Sequence, residues 1–201
     1  ANNGLNCNHS GSSGWGSAVF EVEEVSNDGL TFYTERTDGT GGFPGNLKIW
    51  VSYTLTEKDK LEISYQVQTD QDTLVNPTNH SYFNLSGRFN QPIDDHILQL
   101  NTGGVYPIVA DGLPEKKADA ERDFVKKLTK GAALKEIFDA TDEQIRLVSG
   151  LDPPFALNPS RDKAGTLYHP ASGRRLTIQT QAPCLVIYST KCVVASVKFA
   201  G

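Results

Sequence analysis

Between Leu47 and Gln68 apolar and polar residues alternate with a period of two. Leu47, Ile49, Val51, Tyr53 and Leu55 share one face, and Lys48, Ser52, Thr54 and Thr56 the other, with Trp50 out of pattern. After Glu57-Lys58-Asp59-Lys60 the alternation resumes as Leu61, Ile63, Tyr65 and Val67 against Glu62, Ser64, Gln66 and Gln68. Successive strand side chains point to opposite faces, so two such runs around a short polar turn predict a β-hairpin with one buried face. Ala18–Val25 and Gly29–Glu35 predict an earlier hairpin around Ser26-Asn27-Asp28. Ile97–Asn101, Arg146–Ser149, Arg174–Thr180 and Cys184–Ser189 predict further strands.

The one helix candidate is Asp123–Phe138, with Phe124, Leu128, Leu134 and Ile137 near helical spacing and Gly131 weakening its middle. Many strands, one short helix and no regular β–α alternation predict an all-β chain, an antiparallel β-sandwich. A chain of 201 residues suits a single domain over 1–201, and no stretch reads as a linker. Tyr106–Glu121 has no periodicity and is longer than an ordinary connection, which points to a functional or disordered loop.

The formal net charge is -5, and the densest positive cluster, Lys126-Lys127 with Lys130, is interleaved with apolar residues as on a solvated helix face. That excludes an electrostatic nucleic-acid binder. No apolar run approaches the roughly 20 residues that would span a bilayer as a helix. Cys7, Cys184 and Cys192 cannot all pair within one chain, and no C-x-x-C occurs. The expectation is reduced thiols in a cytoplasmic protein, with neither zinc nor a disulfide framework. There is no methionine and no signal-peptide pattern, so the chain reads as a processed or incomplete copy of a longer protein.

Candidate chemistry concentrates in Asn76-Pro77-Thr78-Asn79-His80-Ser81-Tyr82-Phe83-Asn84-Leu85-Ser86-Gly87, which holds one histidine, three asparagines, three Ser/Thr hydroxyls and two aromatics. Amides and hydroxyls can hydrogen-bond a polyol, aromatics offer apolar faces, and histidine moves a proton near neutral pH. The plainer reading is a strand ending in a polar turn, with Tyr82, Phe83 and Leu85 in the core. The run resembles the signature of the aldose 1-epimerase (galactose mutarotase) family, Thr-Asn-His-x-Tyr-Phe-Asn-Leu. The resemblance implies that His80 is catalytic, that Asn79 belongs to the sugar site, and that the fold is a mutarotase-like supersandwich.

Other segments extend the resemblance over nearly the whole chain. Asn6-Cys7-Asn8-His9-Ser10-Gly11 is similar to the family's Asn-Ser-Leu-His-Gly-Gly, with Cys7, Asn8 and Ser10 as departures, and implies that His9 binds sugar. Phe43-Pro44-Gly45 before Asn46-Leu47 resembles the family's Gly-Tyr-Pro-Gly-x-Leu turn. Gly150-Leu151-Asp152-Pro153-Pro154-Phe155-Ala156-Leu157 is similar to Gly-x-Asp-His-x-Phe-x-Leu, which implies that Asp152 bonds sugar hydroxyls; Pro153 stands where the family has histidine. Gln179-Thr180-Gln181-Ala182-Pro183 resembles Thr-Thr-Gln-Pro and implies a sugar-binding amide at Gln181. Read without the resemblance, His9 is a solvated histidine, Asp152 a turn residue and Gln181 a polar strand end.

Asp94-Asp95-His96 invites a metal reading, but adjacent strand residues face opposite ways, so it reads as a surface turn and His169 as structural. The activity implied is interconversion of α- and β-anomers of free aldohexoses such as galactose and glucose by acid–base ring opening, without a cofactor or metal. The family's catalytic base is a glutamate in a Leu-Glu-x-Gln segment. No carboxylate follows Asp162 here, and the family's upstream Asn-Arg-Ile segment is also missing, so the chain reads as incomplete at both ends. Two other readings stay open. One is a sugar-binding β-sandwich without turnover. The other is a sugar-phosphate epimerase, for which Arg122 or Arg161 would bind the phosphate.

Overall fold

The computed structural model describes residues 4–88, 90–159 and 163–189. Cys192 and Arg161 lie outside them. The chain forms two compact units, residues 1–81 and 82–201.

The first unit is built on a four-stranded antiparallel sheet of β1 (Glu21–Val25), β2 (Gly29–Arg36), β3 (Leu47–Leu55) and β4 (Leu61–Thr69), in that order. The alternating hairpin forms as its pattern requires. Ile49 stands opposite Val67, Val51 opposite Tyr65 and Tyr53 opposite Ile63, so one face collects the apolar residues from both strands. Leu47, Ile49 and Val51 are buried, with Trp15, Phe20, Tyr53, Ile63, Tyr65 and Val67 packed against them. Trp50 breaks the alternation because it has a partner on the other face, the ring of Tyr33 at 5.1 Å. The face runs out at the hairpin tip, where Leu55 and Leu61 are exposed and Asp59 turns the chain with φ 54°.

The second unit contains β5 (Ile97–Leu100), β6 (Thr102–Val105), α1 (Asp123–Lys130), β7 (Ala132–Ala133), α2 (Leu134–Phe138), α3 (Glu143–Leu147), β8 (Pro154–Leu157), β9 (Gly165–Tyr168), β10 (Arg175–Ile178) and β11 (Cys184–Val186). One antiparallel sheet runs β10-β9-β5-β7 and another β11-β8-β6. Leu98, Leu100, Val105, Phe124, Val125, Leu128, Ile137, Ile145, Leu151 and Phe155 form the core.

The expected all-β antiparallel architecture is observed, with corrections in its helices. The single candidate Asp123–Phe138 is two helices. Gly131 ends α1 at φ 92°, and Ala132–Ala133 then pairs with β5 before α2 begins. The strand expected at Arg146–Ser149 is instead the end of helix α3 and the turn after it; the α3 cap Asp142 accepts the Gln144 N–H at 2.8 Å. The long loop is ordered by a side chain. Buried Gln144 accepts the Ile108 N–H at 2.7 Å and donates to the Ile108 carbonyl at 3.1 Å. Bridges pair Val105 with Asp119 and Ile108 with Pro114. Among the described residues no helix is long and apolar enough to cross a membrane.

Candidate active site

His9 and His80 come together in the first unit. Their rings lie 5.6 Å apart at centroids, inclined by 48°, and both side chains are exposed. His9 sits in a tight left-handed loop, with φ of 51°, 60° and 72° at His9, Ser10 and Gly11. This conformation suits glycine and strains other residues, so Ser10 occupies a position where a glycine, as in the related motif, is easily accommodated. The loop is tied by N–H bonds from Gly11 to Asn8 O and from Gly14 to Gly11 O. A Cβ on Gly14 would lie 2.1 Å from the His9 carbonyl oxygen, so only glycine lets this loop close. The Asp38–Gly45 turn supports it: a Cβ on Gly41 would stand 3.3 Å from Ser10 O.

His80 lies in irregular chain beyond β4, where backbone groups must find partners outside a ladder. Asn79 supplies one such partner. Its amide donates to the Tyr53 hydroxyl at 3.3 Å, and its carbonyl oxygen accepts the Ser81 N–H at 3.1 Å. Tyr53 is held in turn by an edge-on contact with Phe32 at 6.0 Å. Asn79 thus ties the backbone flanking His80 to β3.

Asp152 and Gln181 belong to the second unit. Asp152 is half-buried between buried Leu151 and Pro153, just before β8. The β8–β11 ladder sets Ala156 against Cys184 and Pro154 against Val186. It continues to Leu151 and Ser189, whose backbones bond at 3.0 Å, while the Ser189 hydroxyl accepts the Leu151 N–H at 2.9 Å. Asp152 therefore sits at the Ser189 end. Gln181 precedes the other end, where the Leu157 N–H bonds to Pro183 O at 2.9 Å. The seven residues from Pro183 to Ser189, six steps end to end, span roughly 20 Å of extended chain. The ladder does not bring Gln181 to Asp152.

Tyr188, next to Ser189, meets the ring of Tyr82 edge-on at 6.2 Å. Tyr82 and Phe83 are more than half exposed and Leu85 is half-buried, so the reading that placed all three in the core is corrected: this segment turns its aromatics outward. Tyr188 was hidden in the sequence as an ordinary strand residue. A depression of about 290 Å³ bordered by Gln99, Asn101, Thr129, Asn158 and Lys163 contains none of the residues singled out by sequence.

The surface-turn reading of Asp94-Asp95-His96 is also corrected. His96 is wholly buried, and Asp95 bonds both to it and to His169. The two adjacent side chains meet because Asp95 and His96 precede β5 and are free of strand alternation. Arg122 is surrounded by carboxylates: Asp142 at 2.9 Å, Glu143 at 2.9 Å and Asp119 at 3.2 Å. Burial disfavours its charge, but the bonds to Glu143 and Asp142 outweigh this and raise its pKa. Its local field repels a phosphate. Cys7 and Cys184 are free thiols.

The family model for aldose 1-epimerase matches residues 1–200. The chain belongs to the aldose 1-epimerase family. It is 32% identical to the galactose mutarotase of Sus scrofa over 194 residues, 94% of this chain and 54% of that protein. It is likewise 32% identical to the aldose 1-epimerase of Escherichia coli (strain K12) over 191 residues, 92% and 54% of the respective chains. The crystal structure of galactose 1-epimerase from Lactobacillus acidophilus NCFM superposes with a TM-score of 0.81 at 30% identity, covering 93% of this chain and 55% of that one. The chain thus spans about half the length of the aldose 1-epimerases it matches, and it shares their β-rich fold. These relatives are named as isomerases acting on sugars.

Proposed function

We propose that this chain carries the acid and sugar-holding groups of an aldose 1-epimerase acting on free aldohexoses, galactose and glucose. The observation that carries the reading is the meeting of His9 and His80, brought from distant parts of the sequence to a ring separation of 5.6 Å. Ring opening needs a proton delivered to the ring oxygen as the C1–O5 bond breaks, while a general base, here solvent water, takes the C1 hydroxyl proton and the O–H bonding pair becomes the carbonyl π bond. His80 supplies the proton to O5, and imidazole serves because it exchanges protons near neutral pH. After rotation about C1–C2 the steps reverse and the opposite anomer closes. His9 holds a hydroxyl of the sugar, and Asn79 fixes His80 through Tyr53 and Ser81; for Asp152, in the other unit, the sugar-binding role rests on the family resemblance alone. Gln181, remote from Asp152 along the ladder, is assigned no place beside it.

The base implied by the family resemblance, a glutamate of a Leu-Glu-x-Gln segment, has no counterpart among the 201 residues. A second reading is sugar binding without turnover. Titration calorimetry with galactose tests what both readings share. Saturable binding that weakens in His9→Ala supports the site; heat identical for both proteins removes it. With Cys7 and Cys184 as thiols, we place the protein in the cytoplasm.

A further inference from the structure

Apart from the His9–His80 pair, Asp95, His96 and His169 form a compact group whose ligand atoms lie within 4.8 Å of one another. The imidazole rings are 4.7 Å apart, inclined by 36°. Both are buried, while Asp95 keeps an exposed flank.

The partners on the far sides of the rings assign their tautomers. His96 Nε2 lies 2.9 Å from the Leu85 N–H, a donor, so Nε2 carries the lone pair. The ring proton is then on Nδ1 and points to Asp95 Oδ1 at 3.1 Å. His169 Nδ1 lies 3.1 Å from the Ser172 N–H and 2.8 Å from the Ser172 hydroxyl, and the Asp95 Oδ2 carboxylate oxygen, 3.1 Å from Nε2, calls for the ring proton there. Each carboxylate oxygen thus receives one imidazole N–H. Burial raises the Asp95 pKa, but the bonds from His169 and His96 outweigh it and keep the carboxyl below its ordinary value.

The same tautomers argue against a cation in the triangle. Both imidazoles present a proton to its centre rather than a lone pair. Moving the His96 proton to Nε2 would set donor against donor at the Leu85 N–H. The triangle holds backbone instead. Leu85 has its N–H accepted by His96, and its carbonyl accepts from Arg174 Nη1 at 3.1 Å and lies 2.8 Å from the Ser172 hydroxyl, whose one proton is shared between that carbonyl and His169 Nδ1. Leu85 lies outside any strand or helix, so side chains from elsewhere in its unit satisfy both of its main-chain groups.

We propose that Asp95, His96 and His169 are positioning residues that clamp Leu85 and hold the Tyr82–Leu85 stretch, which follows His80 in the chain, in one conformation. The consequence for catalysis rests on the reading of His80 as the acid; the clamp itself does not.

The test is Asp95→Asn in the 201-residue chain. An asparagine offers one acceptor and one donor where two acceptors are needed, so one imidazole must lose its bond or change tautomer. In wild-type protein, ¹⁵N NMR of histidine is expected to find unprotonated Nε2 at His96 and unprotonated Nδ1 at His169. In Asp95→Asn one of these signals moves and Leu85 amide exchange accelerates about tenfold or more, while kcat for mutarotation falls about tenfold with KM within about twofold. Asp95→Glu restores part of kcat, and Ser172→Ala gives a smaller effect in the same direction. Unchanged tautomers and unchanged Leu85 exchange in Asp95→Asn overturn the clamp. Faster Leu85 exchange with unaltered kcat overturns its part in catalysis. Zinc chloride that removes both ring N–H signals at low stoichiometry makes the triangle a metal site and also overturns it. A wild-type protein without turnover defeats the mutarotase reading, whereas tautomers and exchange still decide the clamp.

Discussion

The carbonyl oxygen of His9 occupies the space where any side chain on Gly14 would begin, 2.1 Å from the ideal Cβ position. The obstacle is backbone, which cannot swing aside as a flexible side chain would. Gly14→Ala must therefore push the His9 loop out of its left-handed turn. We predict that galactose binding weakens about tenfold or more, equivalent to roughly 1.4 kcal/mol. Gly16→Ala is the control, because nothing lies within 4 Å of its Cβ position. Calorimetric titration of the two variants should separate them.

Asn79 connects His80 to the sheet through Tyr53. Asn79→Ala removes the bond to the Tyr53 hydroxyl and leaves the Ser81 N–H without its acceptor. The expected loss is about 1 kcal/mol of stability, since the site is exposed, together with about a tenfold fall in kcat from a less ordered His80. Tyr53→Phe should act in the same direction and more weakly. Urea unfolding and anomer-exchange NMR on both variants would check this, and equal kcat in all three proteins would count against the anchor.

Gln144 acts as a surrogate strand for Ile108, bonding both its N–H and its carbonyl. Gln144→Leu keeps the volume and strands two buried backbone groups. The expected cost is about 3 kcal/mol in urea denaturation, with loosened protection in the Tyr106–Glu121 segment by hydrogen exchange.

Asp70 accepts the Asn46 side-chain amide at 2.7 Å and its backbone N–H at 2.8 Å, which holds the carboxyl below its ordinary value. A depressed folded-state pKa contributes stability that is complete above the unfolded value, about 3.9, and is lost as pH falls through the folded value. Thermal unfolding followed below about pH 4 should fall less steeply in Asp70→Asn than in the wild-type protein. Parallel curves would show that Asp70 contributes nothing to acid sensitivity.

The β3–β4 hairpin was legible because its signal is local: alternation and a polar turn define both strands and their buried face. Strand β8 was not, since Pro153-Pro154 read as a turn; Pro154 begins the strand, where its missing N–H is tolerated. Helix α3 spans only five residues, too short for a helical period to outweigh the apolar pair Leu147-Val148. The fate of His96 was invisible because burial there depends on Leu85 and on His169, far away in sequence. His9 and His80 stood out by their resemblance to family motifs, not by periodicity. The separation of Gln181 from Asp152 emerged only with the β8–β11 register.

The most direct measurement is polarimetry of freshly dissolved α-D-galactose with the 201-residue protein and with His80→Asn. The account predicts that the wild-type chain speeds the approach to anomeric equilibrium and that His80→Asn loses about 10² to 10⁴ of that acceleration. Acceleration that survives the substitution undiminished would contradict the assignment of His80 as the acid.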